Sequence, residues 1–256
     1  MSDRSFEVVC EIEPPTRPDL MHVRHQIGVL SKVASAFLIP DNHIGRATVS
    51  SVAVAHEVEQ MGGRSIACLN ARDRNLLGFR RDLLTAAAYG VDQFLFVYGD
   101  RPSSGARTGQ LTVRSMIDEL RAFPTEGVRP FRAGVAAGPG PLPAWKRDAD
   151  FVFAQVRFSM NEMLEWRAQI DFGGPVFAGV MVVPSVSMAR KISADIPQLA
   201  VPGDWLAAIE RDPTAGVSLA CDLVENIRAS GAFDGVHLIP VSRYREVAAR
   251  LEGSTR

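Results

Sequence analysis

The 256-residue sequence predicts an α/β fold, a single closed (βα)8 TIM barrel, and three observations predict it. Eight short apolar runs alternate with stretches of helical periodicity, the pattern of successive βα units on a mainly parallel sheet. With 46% hydrophobic and 22% charged residues, the chain can fill one large core. No repeat, low-complexity tract or linker divides it, so residues 1–256 are read as one domain.

The first strand is expected at 5–13, in SFEVVCEIE. Strand side chains alternate between faces, which puts Glu7, Val9, Glu11 and Glu13 on one side and Phe6, Val8, Cys10 and Ile12 on the other. Pro14 and Pro15 end the strand, because proline cannot donate to a ladder. The remaining strands are expected at 35–39, 64–69, 93–99, 132–137, 151–155, 175–183 and 234–240. Helical periodicity fills 19–33, 48–62, 74–90, 112–123 and 159–170, and a longer region, Ser185 to Ser230, has room for several helices. Gly62 and Gly90 fall where a helix end needs a left-handed residue. One unit breaks the rhythm: PGPLPAWKRDAD, at 139–150, is too short and too rich in proline for a crossover helix. The crossover between the fifth and sixth strands is therefore expected to be shortened.

Charge and composition exclude several classes. The net charge is −1 with basic residues scattered, which is not the footprint of a nucleic-acid binder. No apolar run approaches the ~20 residues that span a bilayer, and the N-terminus lacks the layout of a signal peptide. A cytoplasmic protein without membrane contact is expected. Cys10, Cys68 and Cys221 lie far apart, without CxxC spacing or a histidine cluster, so they read as buried thiols and no metal site is expected. His22, His25, His43 and His56 read as surface or helix-packing residues, and His237, in the last strand, as a satisfied core position. A homo-oligomer is compatible with the sequence, which carries no legible interface.

In such a barrel the C-terminal strand ends form the active face. There the sequence gathers Glu11 and Glu13, Asp41 and Asn42, Asn70 to Asn75, Asp100 and Arg101, and Gln155 and Arg157. Loop starts are polar in any case, since turns and helix caps favour Asp and Asn, and this accounts equally well for Asp41, Asn42 and Asp73. Glu11 is different. It belongs to a strand, and an inward acid in a packed barrel costs several kcal/mol unless it is partnered or functional.

Taken together, EIEPP (11–15), PDNHIGRA (40–47), RDRNLLGFRRDLLTAAAYGV (72–91), FVYGDRP (96–102), ADFVFAQ (149–155), PVFAGVMVVPSVSMARKI (175–192), LAVPGDW (199–205) and GVHLIPVSRY (235–244) resemble the methylenetetrahydrofolate reductase family. The match is closest to the branch that also occurs fused to corrinoid-dependent homocysteine methyltransferases. The resemblance implies a barrel that reduces the methylene carbon of 5,10-methylenetetrahydrofolate to a methyl group, normally through a bound flavin. It implies that Glu11 is the acid that protonates the departing nitrogen as the substrate ring opens, and that Asp100 faces the pterin. Burial, and a like-charged neighbour such as Glu13, would favour the protonated acid. Gln155 matches the glutamine that binds the pterin edge, and Asp41 and Asn42 match the loop over the same pocket. Arg46, Arg72, Asn70 and Arg101 occupy motif positions suited to an anionic cofactor or to the folate tail.

The sequence also departs from the family. The usual H-x-T-C before RDRN is here Cys68-Leu69-Asn70-Ala71, and the segment at 139–150 that would carry groups around the flavin ribityl and phosphate keeps little beyond Trp145, Lys146 and Arg147. Gln155 is followed by Val156-Arg157. Three readings stand: a reductase taking hydride directly from NADH or NADPH without FAD; a flavoenzyme with a rearranged loop; and a folate-binding accessory subunit. No GxGxxG follows a strand, so a dinucleotide would bind at the barrel mouth.

Overall fold

The structure, a computed structural model, describes residues 6–101, 104–124, 126–127, 129–196 and 199–254. Ser5 of the expected first strand and Pro102 of FVYGDRP lie outside the described residues. The strands are β1 (Glu7–Glu11), β2 (Ala36–Ile39), β3 (Ser65–Asn70), β4 (Gln93–Val97), β5 (Arg132–Ala137), β6 (Phe151–Val156), β7 (Val176–Met181) and β8 (Gly235–Ile239). Each pairs in parallel with the next, and β8 closes on β1 through Glu7↔Gly235 and Val9↔His237. The helices are α1 (Met21–Leu30), α2 (Ser51–Gln60), α3 (Leu76–Ala88), α4 (Val113–Ala122), α5 (Met160–Ala168), α6 (Val186–Asp195), α7 (Gly203–Arg211), α8 (Ala215–Ser230) and α9 (Tyr244–Ser254). The region from Ser185 to Ser230 thus holds α6, α7 and α8. α9 is a helix beyond those expected from sequence: Tyr244, Val247, Ala248 and Leu251 repeat at helical spacing and are all buried, where α9 packs on α1 and α8.

Strand alternation sorts the core into two layers. Val9, Ala36, Leu38, Ile66, Cys68, Leu95, Phe151, Phe153 and Phe177 form a cluster drawn from strands alone, which fills the barrel. The alternate residues, such as Val8, Cys10, Phe37, Ala67 and Val236, join the larger cluster shared with the helices. Phe153 and Phe177 stack inside with centroids 4.9 Å apart. Gly134 makes room for this aromatic filling, because a Cβ there would fall 1.9 Å from the Phe151 ring. The floor, at the N-terminal strand ends, is polar: Glu7 pairs with Arg64, and Arg132 lies over Phe151 at 5.6 Å.

The crossover between β5 and β6 is short, as expected. It makes one 3-10 turn, Ala144–Asp148, where the other units place α-helices. Asp150 anchors its end by accepting from the Ala133 amide at 2.7 Å and from Arg121 at 2.8 Å. Trp166 of α5 closes over its beginning, donating from Nε1 to the Gly138 carbonyl at 3.0 Å. Among the described residues no helix is long and apolar enough to cross a membrane.

Candidate active site

At the C-terminal strand ends the barrel opens into a cavity of about 400 Å³. Its polar lining comes from Glu11, Asp41, His43, Cys68, Asp100, Gln155 and His237, set among Leu38, Leu95, Val97, Met181 and Ile239. This size suits a drug-sized ring system, and a mostly apolar wall with a few polar groups is the usual character of a ligand site.

Glu11 ends β1 on its inward face, and its Oε2 lies 3.1 Å from Nε2 of His237. The closing register explains the meeting: His237 sits level with Val9 on the same face, so its ring reaches up to the residue two further along β1. Phe153 packs edge-on against that ring, with centroids 5.2 Å apart. The side chains of Glu11 and His237 are 15% and 11% exposed, enough for a ligand to touch and too little for water to displace the pair. Two expectations change here. Glu13, expected beside Glu11, lies beyond the strand and is exposed. His237 is satisfied, but by the acid of the mouth and not as a plain core residue. His43, read as a surface or helix-packing residue, is exposed and also lines this cavity.

Asp41 is fixed from behind. Its Oδ2 accepts from the Asn70 amide at 2.9 Å, from Asn70 Nδ2 at 2.6 Å and from Arg74, which also donates to Asp82 at 2.8 Å. Asn70 in turn accepts from the Asp73 amide at 2.9 Å. Asp73 accepts from Asn42 at 2.9 Å and pairs with Arg72, which also donates to the Asp100 carbonyl. The Arg72 guanidinium holds the Asp73 carboxyl well below the ordinary range, at about 2. Asn70 and Arg72 are 0% and 1% exposed, and a buried polar group must find such partners. They were expected to meet a cofactor; the structure turns both inward, to hold Asp41 and the Asp100 loop. Arg74, not singled out from sequence, is a second, largely buried cation of this network, bridging Asp41 and Asp82. Arg46 and Arg101 are exposed on the rim, away from the cavity lining.

The loop after β2 is bent over the mouth by this framework. Asn42 and Ile44 both adopt the left-handed conformation, at φ 48° and 49°, and the Ile44 amide donates to Asp100 Oδ2 at 3.0 Å. Asp100 itself is exposed at the lip. Gly99 before it has φ 96°, and a Cβ there would press on Asn70 at 3.0 Å, which accounts for glycine in GDxP. Across the opening, a bulge between Phe153 and Val156 turns Gln155 onto the lip, where its Oε1 accepts from the Val156 amide at 3.2 Å. Cys68 faces the cavity as a neutral thiol, its ionisation opposed by burial and then by the charge of Asp41, so it offers no thiolate nucleophile.

The methylenetetrahydrofolate reductase family model matches residues 4–253. The chain belongs to the methylenetetrahydrofolate reductase family. Among solved structures, it is similar to an uncharacterized protein from Clostridium thermocellum that binds two copies of 5-methyl-5,6,7,8-tetrahydrofolic acid, at 11% identity and TM-score 0.67, over 98% of this chain and 96% of that one. It is also similar to a mutant tryptophan synthase α-subunit from Pyrococcus furiosus, at 14% identity and TM-score 0.54, over 97% of each chain. Tryptophan synthase from M. tuberculosis gives 14% identity and TM-score 0.53, over 97% of this chain and 92% of that one. At these identities the likeness is one of fold. No curated protein matches the chain. Within the methylenetetrahydrofolate reductase barrel, the structure brings Glu11, Asp41, Asp100 and Gln155 to one cavity and adds His237. Period-2 alternation along GVHLI was the signal for His237, since it shares its face with the inward Gly235 and Ile239.

Proposed function

We propose that the protein reduces 5,10-methylenetetrahydrofolate to 5-methyltetrahydrofolate with hydride taken directly from NADH or NADPH. The observation that carries the reading is the Glu11–His237 pair, 3.1 Å apart on the inner wall of the mouth, facing Asp100 and Gln155 on the lip. Family membership, and the methyltetrahydrofolate bound by the Clostridium thermocellum neighbour, support folate as the ligand.

In this mechanism Glu11, protonated, gives its proton to N10 as the five-membered ring opens. The N5–methylene group becomes an iminium cation. Hydride from the dihydronicotinamide adds to that methylene carbon, giving the methyl group and the oxidised dinucleotide. The Asp100 carboxylate stabilises the cation across the cavity, and the Gln155 amide fixes the pterin edge. His237 orients the Glu11 carboxyl and passes a proton back from water after turnover.

Flavin, the family's usual hydride carrier, does not fit the residues present. Cys68 stands where the family has its histidine, and it is a buried neutral thiol. The shortened crossover offers Lys146, whose Nζ is engaged by the Ala136 carbonyl at 2.5 Å and whose charge is disfavoured by burial. No step is therefore routed through flavin.

The test is an absorbance spectrum of the purified protein followed by a single-turnover assay. The expected result is a colourless protein that oxidises NADH or NADPH only when methylenetetrahydrofolate is present. A flavin band, or reduction that stops when added flavin is withheld, would overturn direct transfer. Folate binding without turnover under either dinucleotide would reduce the protein to an accessory subunit.

A further inference from the structure

We propose that a second cavity, beside the mouth, takes the adenosine half of the dinucleotide and selects the form whose ribose 2′-hydroxyl is free. The inference rests on the reading of the protein as a nicotinamide-dependent reductase and names the subsite and the choice of donor that this reading leaves open. The cavity measures about 440 Å³ and is walled by Arg157, Glu162, Glu165, Trp166 and Gln169. It shares Gln155, Val156 and Ile196 with the mouth, so one extended molecule can lie in both.

The wall is built by the start of α5. Ser159 caps the helix, and Glu162, Glu165, Trp166 and Gln169 follow at i, i+3, i+4 and i+7, on one face. Trp166 is buried and its ring is locked by the bond to Gly138. The Arg157 guanidinium lies 5.0 Å over the indole and donates to the Gln155 carbonyl at 3.3 Å. A planar cation anchored in this way at the cavity wall is a group against which an adenine ring can stack.

Glu162 and Glu165 are exposed on the same wall. Ionised carboxylates only accept hydrogen bonds, and a ribose 2′,3′-diol has two hydroxyls to donate. A carboxylate on the 2′-hydroxyl is the device by which dinucleotide folds choose NAD, and an arginine is the device that admits NADP. Here one arginine is held against tryptophan while two carboxylates line the cavity, so a 2′-phosphate meets net negative charge.

Calorimetry with ADP-ribose and with its 2′-phosphate tests the assignment on the intact protein. ADP-ribose is expected to bind at least tenfold more tightly, and the double variant Glu162→Gln, Glu165→Gln to bring the two within about threefold of each other. Methyltetrahydrofolate affinity in that variant is expected to stay at its original value, which also reports correct folding. Equal binding of the two probes by the unaltered protein overturns the inference, as does a double variant with unchanged discrimination. The probes need no hydride transfer. The expected binding pattern in a protein that fails to turn over would uphold the subsite and sink the reductase reading. An active reductase that ignores the substitutions would do the reverse.

Discussion

Glu11 and His237 share a hydrogen bond in a setting where neither can easily find another partner, since both are largely enclosed and Phe153 backs the imidazole. Replacing Glu11 by Gln keeps the shape and removes the transferable proton. General-acid contributions run to roughly 10²–10⁴-fold, so turnover is expected to fall by at least about 100-fold while the methyltetrahydrofolate dissociation constant holds. Full activity in Glu11→Gln, measured by NADH oxidation, would refute the assignment. Gln155→Ala removes one or two hydrogen bonds to the pterin and is expected to weaken folate binding by about 1–3 kcal/mol, read by calorimetry. At this scale the inward acid was legible, because an ionisable group in a strand interior calls for a reason. Its partner was harder to see: a histidine in an apolar strand reads the same whether it meets a carboxylate or a carbonyl, and only the register of β8 on β1 decides.

The elements of the barrel follow from periodicity, and every expected strand is present to within two residues at either end. The loops after β2 and β3 are another matter. A string such as RDRN shows that charge gathers at the rim, but not whether each side chain faces the cavity or turns back into the scaffold. Burial settles it for Arg72 and Asn70, which spend their polar groups on Asp73, Asp41 and the Asp100 carbonyl. The Asp73 carboxyl is held below its ordinary range mainly by Arg72, and this has a consequence for acid stability. A carboxyl depressed on folding contributes stability above its unfolded value, roughly 3.9, and loses it as pH falls towards about 2. Wild-type stability in urea is therefore expected to fall over that window, with a shallower slope for Asp73→Asn. The strap formed by the β2 loop makes a separate prediction. Ile44 is 55% exposed and β-branched in a left-handed conformation, so Ile44→Asn loses little burial and relieves strain. Stabilisation of about 0.5–1 kcal/mol in thermal or urea unfolding is expected; destabilisation would mean that the isoleucine side chain itself holds the strap.

For the molecule as a whole, closure was legible because a count of eight apolar runs with one stunted connection leaves few alternatives to a barrel, and the stunted connection is where it was expected. The mouth was legible only as a rim of polar residues, since the cavity is a product of bends: the bulge at Gln155 and the left-handed turn at Ile44. The single turn at Ala144–Asp148 bears on motion too. Where the other connections lay a helix along the cylinder, the link from β5 to β6 is a thin wrap fastened at Asp150 and Trp166. Local opening follows the thinnest cover, so in deuterium labelling the amides of these two staves are expected to exchange ahead of those in β7 and β8, on which α8 packs. A molecule built this way carries a seam, and it is expected to breathe along the side on which its second cavity lies.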